Sequence, residues 1–195
     1  MSWHHVVPFS VLCGVWNRLV DQHIATQLAE ARVAIRQYLL LCDWNQPNLD
    51  VLIDRMRAAN TSQKRAGHQI LRPLEVSEAR QMATAAVWPP WNAVEGPRDR
   101  SDDPRDRYID RFTCGLTAQE CARMRVIEWL YDSFGSFVGA GPAPGPSSLR
   151  ALTQAVSSAR PMLAHALPIG FRDEMWVNDG GHWRKRREPL DLPVA

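Results

Sequence analysis

The sequence predicts an α+β fold that is mostly α. Apolar residues recur at helical spacing over most of residues 10–88, a Thr-x-x-Glu signature opens another long helical stripe at Thr117, and the runs that look like strands are few, short and bounded by proline or glycine. With 195 residues, 45% of them hydrophobic and 23% charged, the chain has the length and composition of one globular core, and one domain is expected.

Val11, Val15 and Leu19, then Ile24 and Leu28, then Ala31, Ile35, Tyr38 and Leu39 form a stripe that predicts one or two helices between Ser10 and Cys42. Asp43 to Asn48 reads as a turn, and Leu49, Leu52, Ile53 and Met56 as a short amphipathic helix. The polar run Ala59 to Gly67 reads as an exposed loop. Beyond Pro73, Val76, Ala79, Met82, Ala83 and Ala86 predict a helix that Pro89 and Pro90 end, because proline donates no backbone hydrogen bond. His4 to Pro8 and Trp91 to Glu95 are the candidate strands. Asp103-Pro104, a capping residue with proline at the first helical position, predicts a helix through Tyr108, Ile109 and Phe112. A helix is expected within 113–138 from the Thr117 box, then a stiff Pro/Gly linker over 139–147 and a further helix from Ser147 or Ser148, kinked or stopped by Pro161. Met175 to Arg184, with Asn178-Asp-Gly-Gly181 at its centre, reads as a C-terminal hairpin followed by the basic run Arg184 to Arg187.

The 23 basic residues nearly cancel the 21 acidic ones, for a net charge of +2, so no global basic field steers the chain to nucleic acid or an anionic membrane. Such binding has to come from a local patch. Lys64 and Lys185 are the only lysines, and every other basic residue is arginine, whose fork suits carboxylates and phosphates. No run reaches the ~18 apolar residues of a membrane span, and no basic stretch followed by an apolar one opens the sequence, so a cytoplasmic protein without membrane contact is expected. Cys13, Cys42, Cys114 and Cys121 lack C-x-x-C spacing and fit reduced, mostly buried thiols. No phosphate-binding glycine loop, nucleophile elbow or H-E-x-x-H is present.

The doublet His4-His5 is the feature that composition does not explain. On a strand, adjacent side chains point to opposite faces, so the two imidazoles divide their work. Trp3-His-His-Val-Val-Pro8 resembles the opening strand of the HNH, or ββα-metal-finger, nucleases, and Asn92-Ala-Val-Glu-Gly-Pro97 resembles that family's second strand. The resemblance implies a small finger from residues 1–9 and 91–112, with residues 10–88 a long helical insertion and 148–195 a helix and hairpin outside it. It implies His4 as metal ligand, His5 as general base, Asn92 orienting the base through its amide, and a second ligand on the helix after the second strand. That segment offers only aspartates, Asp102, Asp103, Asp106 and Asp110, where the family commonly has histidine or asparagine; Asp102 or Asp103 is the candidate, and the expected cofactor is a divalent metal, Mg²⁺ or Zn²⁺.

The segment Arg98 to Arg107 alternates arginines with aspartates. It reads either as a self-neutralising solvated loop or as a site in which Arg98 or Arg100 meets a phosphate or another anionic group while Asp102 or Asp103 reaches the metal or His4. Of the remaining histidines, His23, His68 and His165 read as structural, and Trp3, Trp88 and Trp91 read as core or pocket wall. Three functions follow. The first is an HNH-like metal-dependent phosphodiesterase acting on nucleic acid. The second is an enzyme with a small-molecule substrate, using the histidine pair in a tryptophan-walled pocket. The third is a non-catalytic helical interaction protein.

Overall fold

The computed structural model describes residues 1–56, 61–65, 67–74, 77–104, 106, 108–141 and 144–186. The architecture is α+β and mostly α: six helices among the described residues and three two-stranded antiparallel sheets. The helical stripe of the first third becomes α1 (Phe9–Thr26) and α2 (Ala29–Leu41), separated where Gln27 turns left-handed at φ 52° and donates its N–H to His23 O. Leu12, Val15, Trp16, Leu19 and Val20 on α1 and Ala34, Ile35, Tyr38 and Leu39 on α2 are buried in one core. α3 (Leu49–Asp54) follows, and α4 (Ser77–Val87) ends before the double proline as expected. α5 (Ala118–Gly139) starts from a complete capping box: the Thr117 hydroxyl accepts from Glu120 N–H, and the Glu120 carboxylate accepts from Thr117 N–H. α6 (Pro146–Leu163) packs against both α2 and α5. No helix among the described residues is long and apolar enough to cross a membrane.

Four expectations are corrected. Within the polar run 59–67, Thr61–Arg65 is a strand, β2, paired with β3 (His68–Arg72); residues 59, 60 and 66 lie outside the described residues. The hairpin is held from α1, where the Asn17 side chain donates to Gln69 O and accepts from Leu71 N–H, and Trp16 Nε1 donates to Leu71 O. Pro161 does not stop α6, which runs to Leu163; placed in the last turn, the proline forfeits one backbone hydrogen bond without ending the helix. Two cysteines rather than most are buried, Cys13 and Cys42, and all four are free thiols.

The fourth correction concerns the finger. β1 (Ser2–His5) and β4 (Ala93–Gly96) pair antiparallel with His4 opposite Val94 and His5 opposite Ala93, but no helix follows β4 in the described part of residues 97–117. The groups that would build a helix there bond elsewhere. Asp110 N–H donates to Val6 O at 2.7 Å, and Asp106, left-handed at φ 62°, turns its carboxylate to Ser10 N–H at 3.0 and 3.1 Å. Asp106 thereby caps α1 from a distant segment, since Pro8 at the N-cap position offers no side-chain acceptor. The C-terminal hairpin forms as expected, β5 (Trp176–Asp179) against β6 (His182–Lys185), turning at Gly180 and Gly181 with φ of 62° and 91°. Arg187 and the acidic and apolar positions after it lie outside the described residues.

Candidate active site

β1 ends where the chain must turn at once into α1, and three side-chain or backbone clamps hold that turn. Val6 N–H donates to Asn92 O at 2.9 Å; Val7 N–H donates to Asn92 Oδ1 at 2.6 Å; Asn92 Nδ2 donates to Val7 O at 3.0 Å. The buried Asn92 amide acts as a third strand one residue long. It therefore grips the backbone two residues beyond His5 rather than the imidazole, a correction to its expected role.

Beside this turn lies a cleft of about 280 Å³ into which both histidines face. Both line it although their neighbours differ: His4 lies beside Pro97 and Trp176, whereas His5 lies against Trp88 and Phe9, as alternation along a strand predicts. The walls are aromatic: Phe9 and Trp88 inside, Trp3 and Tyr108 at the mouth, 53% and 69% exposed. Asp103, Asp106 and Asp110 complete the described lining with Pro8 and Pro104.

His4 is buried, and its Nε2 lies 2.8 Å from Pro97 O and 3.0 Å from the Ser2 hydroxyl. A carbonyl only accepts, so Nε2 carries the proton and Nδ1 presents its lone pair, 3.9 Å from Asp103 Oδ2. Burial, and then the positive charge of Arg100, holds the His4 pKa below its ordinary value despite the Pro97 carbonyl and the two aspartates, so the ring is neutral near pH 7. His5 packs edge-on against Trp88 with ring centres 3.9 Å apart, and its ring centre is 5.7 Å from that of Phe9. Asp106 also bonds His68 Nε2 of β3 at 3.0 Å, which ties the insertion to the cleft.

Arg100 and Asp102 do not line the cleft, against expectation. The Arg100 side chain is fully buried, with Nη1 2.7 Å from Asp110 Oδ2 and Nε 3.1 Å from Asp102 Oδ1, and its guanidinium carbon lies 4.8 Å from the Trp176 ring centre. Asp102 spends its other oxygen on Lys185 N–H at 3.0 Å. Although burial opposes it, that bond and Arg100 pull the Asp102 carboxyl below the usual range. Both residues are consumed by an internal ion network, because a buried guanidinium needs acceptors that replace its water, and here carboxylates supply them. Of the network's other members, Asp110 is among the aspartates the segment offers without being the expected ligand, and Lys185 lies outside the expected site. Asp110 carries one sequence signal, its place in that aspartate series. Lys185 shows none beyond being one of two lysines.

The metal expectation can be weighed on these donors. The Asp103 carboxylate suits a hard cation that keeps most of its waters, as Mg²⁺ does, while His4 Nδ1, with its other nitrogen anchored by a backbone carbonyl, is a donor that borderline metals such as Zn²⁺ also take. Among the described residues no group of three or more His, Cys, Asp or Glu side chains is arranged to hold a metal, which leaves the ligand number of a zinc site unmet there. Of the other histidines, the buried His23 bonds Ile53 O and the exposed His165 bonds Asp43, as structural residues do. No family model, curated protein or solved structure matches the chain.

Proposed function

We propose that the cleft is the reactive site of an HNH-like phosphodiesterase acting on nucleic acid. The observation that supports it is the convergence of His4, His5 and Asp103 on one cleft from opposite ends of a helical insertion, with Asn92 fastening the turn that follows His5. His5 takes the proton from the attacking water, a task suited to imidazole because its ordinary titration lies near neutrality. Trp88 and Phe9 hold its ring. His4 Nδ1 and Asp103 would hold Mg²⁺, which when bound supplies charge stabilisation for the phosphate oxygens and the leaving oxygen. The Pro97 carbonyl keeps the His4 proton on Nε2 and so keeps Nδ1 available. Asn92 acts indirectly, through the backbone.

A second reading, a small-molecule substrate handled by the same histidine pair, is favoured by the four aromatic walls and the modest volume of the cleft. Salt separates the two. Binding of a polynucleotide releases counterions, so affinity for DNA or RNA should fall steeply between about 50 and 200 mM salt, whereas a neutral small substrate should show little dependence. In a cleavage assay with Mg²⁺, His5→Ala should abolish turnover and keep Mg²⁺ binding, and His4→Ala should weaken Mg²⁺ binding. A purified protein that neither binds nor cuts nucleic acid at low salt, or a His5→Ala variant as active as the wild type, would remove the phosphodiesterase reading.

A further inference from the structure

The loop that carries Asp103 shows no helix among its described residues, yet it is fastened at several points, from α1, β3 and the turn after β1 and also from the C-terminal hairpin. Ser101 N–H donates to Trp183 O at 2.8 Å, Lys185 N–H donates to Asp102 Oδ2, and Lys185 Nζ reaches both Asp110 Oδ1 and, at 2.8 Å, Arg111 O. On β6 the alternation places Trp183 and Lys185 inward and His182 and Arg184 outward. An ammonium group at an inward position, its side chain only 16% exposed, is costly unless carboxylate and carbonyl oxygens replace its water, and Asp110 and Arg111 supply them. Asp110 in turn holds β1 through its N–H on Val6 O, one residue past His5. A continuous path of polar contacts thus runs from β6 through Asp110 to Val6 at the end of the histidine strand, and a second runs from β6 to Asp102, the residue before Asp103.

We infer that Lys185 is a positioning residue of the cleft, setting the Asp103 loop against β1 and giving that loop the support a finger helix would otherwise provide. The inference rests on the cleft being the reactive site. It also takes Lys185 out of the basic run 184–187 as a contact for a phosphate backbone, because its charge is spent internally.

The test uses the full chain with Lys185→Met and Lys185→Arg, read by amide hydrogen exchange and by the ¹⁵N shifts of the His4 ring at one fixed pH. Lys185→Met should raise exchange at Ser101 and Asp110 by about tenfold or more while leaving the α2 and α6 amides unchanged, and should move the His4 ring shifts. Lys185→Arg should restore both, since it keeps a cation beside Asp110. Should the methionine variant not fold, Lys185→Gln, neutral but still a donor, is read the same way. Unchanged exchange at Ser101 and Asp110 overturns the inference; so does raised exchange with unmoved His4 shifts, the result of a purely structural tie. Neither readout needs turnover, so an inactive protein, or a fully active His5→Ala variant, would remove the phosphodiesterase reading without altering these spectra.

Discussion

The two halves of the cleft are held by different forces. The strand half, β1 on β4, is a backbone ladder extended by the neutral amide of Asn92. The loop half, residues 97–112, is held chiefly by charge: Arg100, Asp102, Asp110 and Lys185 in a buried network, and Asp106 on the first turn of α1. The difference teaches where the risk lies. A ladder shares its cost over many neutral bonds, whereas a buried network fails when one partner is lost, because the remaining charges stay desolvated.

The largest effect should therefore come from the loop half. Asp110→Ala leaves the buried Arg100 guanidinium and the Lys185 ammonium without their shared carboxylate, and a loss of about 3 to 5 kcal/mol in urea unfolding is expected. Asn92→Ala orphans one buried N–H and one buried C=O of Val7 and should cost less, about 2 kcal/mol. If Asn92→Ala proves the more damaging of the two, charge is not what distinguishes the halves.

Gly96 is the joint between them. It pairs with Ser2 in the strand ladder and lies under Trp176 of the hairpin, so that a Cβ built on it would sit 2.3 and 2.6 Å from two ring carbons of Trp176 and 3.1 Å from the His4 ring. Gly96→Ala should cost about 1 to 3 kcal/mol by overpacking. Trp176→Phe removes the offending ring atoms, and in a double-mutant cycle the pair should be less harmful than the sum of the single changes. Strict additivity would mean that the strand half does not meet the hairpin, which in turn holds the loop half, through this contact.

What was legible in the sequence follows the same division. The strands at His4 and Val94, the Thr117 box and the Asn178 to Gly181 turn are recognisable because their determinants lie within a few residues of one another. Asp103-Pro104 carries an equally good local signal for a helix, yet the partners that decide its conformation, Ser10, Val6 and Lys185, are remote in sequence and outweigh it. β2 is hidden for a similar reason: its polar residues look like a loop, and the pairing depends on Asn17 of α1 gripping the neighbouring strand. Arg100 and Asp102 have the alternation of a solvated or anion-binding loop, and only the fold reveals that a lysine from the C-terminal hairpin closes their network. The histidine doublet and Asp103 line one cleft with Asn92 fastening the turn beside it, while the lack of a helix among the described residues of 97–117 and the contacts of the Asn92 amide are set by tertiary structure.

The smallest expected effect belongs to a charge pair outside the cleft, and it sharpens the comparison by showing a charge that is both locally signalled and tolerant. Glu120 closes the α5 capping box and takes Arg172 in a fork, with both N–O distances 2.7 Å. Arg172, together with the Thr117 donors and against the pull of burial, lowers the Glu120 carboxyl from its ordinary 4.5 to about 2. A carboxyl depressed in the folded state stabilises fully above its unfolded value and loses that contribution as pH falls through the folded one, so the window runs from 4.5 down to about 2. Glu120→Gln should lower stability near neutral pH by about 1 kcal/mol, the pair being partly exposed to solvent, and should flatten the acid limb within that window. Urea midpoints taken at about pH 6 and about pH 3 for both proteins measure it, with convergence of the two curves at the lower pH expected. Curves that stay parallel down to the acid end would show that Glu120 titrates alike in the folded and unfolded chain, and that the Arg172 fork adds nothing to the cap.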